Sequence, residues 1–302
     1  EIYMKKTTLS VIASTAIAGV LFVGCGSSSS LSSALSGGGG KALYPIVGAT
    51  ACLDLTSDGI SADDICSTTT TDEDGNYTLD TGSASTTGKF IYLKGGQFTN
   101  SEGEVTVIPS DVIYSAPASS AGVINPYSDA IAKKMKADST LTLSDAQDAV
   151  ISEIETATGL TGLTLSDLLV KPNKDATITS KKLAKLEAFS VLKGLSDSLD
   201  TDFADILTAI DALGDDATAD FSAIVRSTTV IANAIKQGGN KTNLIGSLTA
   251  ITAKIKASTG KIDIDSTVTA LITATTSGSV TDSNNITITE APDATEVATL
   301  AL

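Results

Sequence analysis

The chain has 302 residues and a formal net charge of −15, from 35 acidic and 20 basic side chains. Such an acidic body repels nucleic acid and anionic lipid, so neither is expected as a partner through charge. Histidine and tryptophan are absent and aromatics make up 4%, which removes Ser-His-Asp and Cys-His catalysis, His-containing zinc sites and His-ligated haem, and leaves little on which sugars or bases can stack.

The segment Met4 to Cys25 opens with Lys5 and Lys6. It continues through an apolar run from Val11 to Val23 and closes on Gly24-Cys25. A charged start, an apolar middle and a small residue at the cut make a secretory signal. The cysteine directly after the small residue resembles the signal of bacterial lipoproteins, with Phe22 where Leu is usual. That resemblance implies removal of residues 1–24, acylation of Cys25, and an outer-membrane address, since the following Gly26 is not acidic. After Cys25 no apolar run is long enough to span a bilayer, so the lipid is the expected anchor.

Residues 25–40 continue as GSSSSLSSALSGGGG after the cysteine, a composition that predicts a flexible linker. From Lys41 to Ser120 the pattern is that of short strands. Val47, Ala49, Ala51, Leu53 and Leu55 alternate with Thr50, Cys52 and Asp54. Asp74-Gly75-Asn76 signals a turn into Tyr77-Thr78-Leu79, and KFIYLKG, EVTVI and DVIYS follow. Several short strands at close spacing predict a small β-sandwich over 41–120.

GATACLDLTSDGISADDIC followed by TTTTDEDGNYTLD resembles the carboxypeptidase-regulatory-like and serine-aspartate-repeat B-type sandwich modules of bacterial surface proteins. YLKGG and YSAPASSAGVINPYSDAIAKKM resemble a recurrent bacterial lipoprotein arrangement, in which the sandwich leads through an Asn-Pro into helices. The resemblance covers roughly residues 42–160 and implies no catalytic activity. Thr56 stands where those modules usually carry Asn or Asp.

From Pro126 the period becomes helical, with a domain junction near Ser119–Pro126. Ser144 to Gln147 reads as a capping box, with Gly159 as the stop. Further amphipathic stripes are Ala184, Ala188, Val191 and Leu195; Phe203, Ile206, Leu207, Ile210 and Leu213; Phe221, Ile224, Val225, Thr228, Ala232 and Ile235; and Leu244, Leu248, Ile251 and Ile255. Short links between such helices predict an antiparallel bundle over 121–260. Residues 261–302 read as a tail or short strands. The expected class is α+β: an N-terminal small β-sandwich followed by an α-helical bundle domain.

One loop has chemistry. Asp54, Thr56, Asp58 and Gly59 sit at the spacing of the first half of an EF-hand loop, which gathers side-chain oxygens. Its twelfth position falls on Ile65, so Asp63 and Asp64, or Asp72 and Asp74, are needed to complete a calcium shell. The competing reading is a solvated acidic turn with Gly59 chosen for positive φ. Cys25 being taken by lipid, Cys52 and Cys66 are expected to pair in an exported chain. Ser180-Lys181-Lys182 reads as a capped helix start with solvated lysines. Glu153/Glu155 and Asp215/Asp216 are carboxylate pairs that nothing places in a pocket.

These features define an expectation of a non-catalytic lipoprotein of the bacterial outer membrane or cell surface. It is held to the membrane by its lipid and binds or supports an envelope partner. The alternative is an enzyme or enzyme accessory with its site in the helical domain.

Overall fold

The computed structural model describes residues 34–41, 43–99, 105–108, 110, 113–120, 122–193, 206–208, 210–211, 221–258 and 262–290. The signal, Cys25, Phe203, Leu195, Leu213, Asp215, Asp216 and residues 291–302 lie outside them. The class is α+β, sheets first and helices after.

Among the described residues ten strands form two sheets: β1 (Ala34–Lys41), β2 (Tyr44–Val47), β3 (Thr50–Asp54), β4 (Ile65–Cys66), β5 (Asn76–Asp80), β6 (Phe90–Lys94), β7 (Gln97–Thr99), β8 (Val105–Val107), β9 (Ile113–Pro117) and β10 (Val123–Ile124). One sheet runs β10-β1-β2-β7-β8, with β5 also paired to β1. The other runs β4-β3-β6-β9. Ile46, Leu79 and Ile124 of the first sheet meet Ala51, Leu53, Ile91, Leu93 and Ala116 of the second, with Ala49 from the link between β2 and β3, forming the sandwich core.

The glycine run does not form a linker. Ala34–Lys41 is β1, paired with β5, β2 and, in parallel, β10. The glycines are required by what lies against them. A Cβ on Gly39 would stand 1.9 Å from Leu93 Cδ1, and one on Gly40 would stand 2.5 Å from Pro172 Cγ. Side chains are excluded here because the second sheet and the 171–174 turn press on β1 from two sides. Asn173 N–H also donates to the Leu43 carbonyl at 3.0 Å.

β6 is buried on both faces over Phe90 to Leu93, which is why these four residues do not alternate with exposed polar ones. The face away from the sandwich core is covered by α1 (Pro126–Ala137). Asn125 caps α1 by accepting from Tyr127 and Ser128 N–H, and its amide donates to the Leu168 carbonyl at 2.8 Å. Asp129 is buried and accepts from Ser115 N–H at 2.9 Å and Ser115 Oγ–H at 2.7 Å. Ser128 Oγ–H donates to the Ser115 carbonyl at 2.8 Å. These bonds stitch β9 to α1, and between them β10 pairs with β1 at the edge of its sheet. The described residues from Ala34 onward form one compact unit.

Next come α2 (Leu143–Thr158), α3 (Leu165–Leu168) and α4 (Lys181–Lys193). The cap of α2 is Thr142 with Asp145, two residues before the expected Ser144 box, because Leu143 already has helical geometry. Gly159 is the stop, at φ 67°. Ile206, Leu207 and Ile210 are buried as their stripe predicts. The helix Phe221–Lys236 is central and contacts its neighbours on several sides. The expected last helix divides at Ser247 into Lys241–Gly246 and Leu248–Ala257.

Residues 262–290 are neither loose tail nor strand pair. Asp263 caps a helix, Ile264–Ala274, and Ile262 bridges to Glu290. Val268, Leu271 and Ile286 complete the helical core.

Candidate functional site

The acidic loop leaves β3 at Asp54 and returns at β4. Cys52 and Cys66 face each other across these strands, with Cα atoms 4.0 Å apart, and are joined by a disulfide. Cys52 is buried and Cys66 exposed.

Inside the loop the carboxylates bind the chain itself. Asp54 is fully buried and accepts from the N–H groups of Ser57 and Gly59. Gly59 has φ 94° and Ser57 has φ 65°, the left-handed geometry the turn reading requires of Gly59. Asp64 accepts from Leu55 N–H at 3.3 Å, Ser61 N–H at 2.8 Å and the Tyr92 hydroxyl at 2.6 Å. Burial pushes the Asp64 carboxyl up, and these hydrogen bonds outweigh it, holding the group below its ordinary value. Burial, then the hydrogen bond to Asp64, push Tyr92 well above the ordinary tyrosine value. Asp58 accepts from the Thr56 hydroxyl, and Asp63 from the Ser61 hydroxyl.

The four expected calcium ligands are thus held by separate partners. Among the described residues no group of three or more His, Cys, Asp or Glu side chains is placed to hold a metal ion. Asp72 and Asp74, the other candidates, belong to the next turn. There Asp72 accepts from Asp74 N–H and from the backbone and side-chain amides of Asn76.

Sequence reasoning missed the lysines. Lys136, in the last turn of α1, pairs with Asp54 at 3.0 Å and lies 4.7 Å from the centre of the Phe90 ring. Lys89 Nζ donates to the Leu55 carbonyl. Lys136 and Asp54 are 82 residues apart, so no local pattern could announce the pair.

The Ser180-Lys181-Lys182 start is capped as expected, Ser180 Oγ accepting from Leu183 N–H at 3.2 Å. Its lysines are engaged, Lys181 with Asp211 at 3.3 Å and Lys182 with Asp167 at 2.6 Å. Lys185 is buried and donates to Asp211 and, at 2.7 Å, to the carbonyl of Thr158. Its ammonium sits at the C-terminal end of α2, where the helix dipole favours a cation. Glu153 pairs with Lys134 at 3.0 Å, while Glu155 accepts from Leu163 N–H at 2.8 Å. Two residues apart on a helix, they point to different sides and do not form an acid–base couple.

Compared with protein-family models, curated proteins and solved structures, the chain matches none.

Proposed function

We propose that the protein is a non-catalytic, lipid-anchored protein of the bacterial outer membrane, acylated at Cys25, whose folded body binds or supports an envelope partner. The observation that carries this reading is the Met4–Cys25 segment with its Lys5-Lys6 start and Gly24-Cys25 junction. We also read the sandwich as a module of the carboxypeptidase-regulatory-like kind, on the Asp-Gly-Asn-Tyr-Thr run at 74–78.

On this reading the tether is short. β1 starts at Ala34, nine residues after Cys25. Even fully extended, that stretch spans only about 30 Å. A body so close to its anchor works at the membrane rather than at the end of a long tether.

The test is Cys25→Ser in cells, followed by fractionation and intact mass. The expected outcome is loss of the acyl mass and release from the membrane fraction. Unchanged mass and unchanged fractionation would overturn the proposal.

A further inference from the structure

We propose that the ammonium of Lys136, assisted by that of Lys89, takes the place of a metal cation in the acidic loop. The loop is then held shut by α1 and needs no calcium.

Three observations carry this. First, Asp54 is the first position of the EF-hand-like run, and its side chain has no exposed surface. A carboxylate so buried is tolerated only when opposite charge and hydrogen bonds compensate it. Here the compensation is internal: two backbone N–H groups and the Lys136 ammonium at 3.0 Å.

Second, calcium loops draw on backbone carbonyls as well as carboxylates. The Leu55 carbonyl is taken by Lys89 Nζ. One carboxylate and one carbonyl of the loop are therefore each occupied by an ammonium.

Third, Lys136 is itself well placed. It lies in the last turn of α1 and against the Phe90 ring, both favourable to a positive charge. The helix that covers the sheet thus brings the loop its own cation, and the loop cannot loosen without losing that contact between sheet and helix.

The experiment measures thermal unfolding of the whole folded protein, with the disulfide intact, in excess calcium and in chelator. Wild-type protein should melt at the same temperature in both. Lys136→Met frees the Asp54 charge and should create a calcium response. For a site of about 10⁻³ M affinity in about 10 mM calcium, a rise of roughly 3–6 °C is expected. Lys136→Arg restores a cation and should abolish the response. Asp54→Asn combined with Lys136→Met should abolish it too, a result that general destabilisation would not give. If Lys136→Met does not fold, Lys136→Gln serves as the neutral variant. A calcium-dependent rise in the wild type would overturn the proposal, as would a neutral Lys136 variant indifferent to calcium.

Discussion

Gly39 of β1 and Leu93 of β6 lie across the sandwich so closely that a Cβ on the glycine would stand 1.9 Å from Leu93 Cδ1. The two sheets approach here because one of them carries no side chain. Gly39→Ala should therefore force the leucine off its rotamer or part the sheets, at a cost of about 1–3 kcal/mol. Denaturant unfolding measures it. A substitution without effect would mean that β1 is not seated against the second sheet.

Asp129 fixes the sheet-to-helix junction, since its carboxylate accepts both donors of Ser115. Asp129→Ala leaves a buried N–H without its acceptor and should cost about 2–3 kcal/mol. In the wild type, limited proteolysis should spare 118–126, where β10 and the Asn125 cap are bound into the fold. Early cleavage there would contradict the stitched junction.

The Cys52–Cys66 bridge closes a short loop, the cysteines being 14 residues apart. The chain-entropy model puts its contribution at about 3 kcal/mol. Cys52→Ala with Cys66→Ala should lower stability by that order. Alkylation of both thiols in the non-reduced protein would show the bridge to be absent.

Acid should destabilise the fold through specific carboxylates. The Lys182 ammonium, then the Thr164 N–H and hydroxyl, hold Asp167 down to about 2 against its ordinary 3.8. A depressed folded value adds stability that is present above the unfolded value and lost as pH falls from about 4 towards 2. Asp167→Asn should flatten that limb of a plot of melting temperature against pH. At the alkaline end, burial and then the Asp129 charge push Tyr114 up to about 12 from 10.0. This raised value gives stability that is present below pH 10 and lost as pH climbs towards 12. Tyr114→Phe should make the alkaline decline shallower.

What the sequence alone determined is what local chemistry determines. Gly75 and Gly159 sit at positive φ in the turn and the helix stop that their neighbours imply. Ile224, Val225 and Ala232 of the predicted stripe are buried, as apolar residues at a 3.6 period should be, while burial of Ser227, Val230, Ile231 and Ala234 beside them comes from the neighbours packed on the other sides of the helix. Alternation at 49–53 placed Ala49, Ala51 and Leu53 in the core. Tertiary structure decided the rest. A run of glycines is compatible with a loose linker or with a strand too crowded for side chains, and only Leu93 and Pro172 lying against it select the strand. Val268, Leu271 and Ile286 lie in the stretch that reads as a tail or short strands, and only the core they complete makes their role plain. The acidic loop was equally undetermined. Carboxylates at calcium-like spacing need positive charge, but spacing cannot say where that charge comes from. Here the helix that packs over the sheet brings Lys136 to Asp54, whose carboxylate is fully buried and needs that opposite charge.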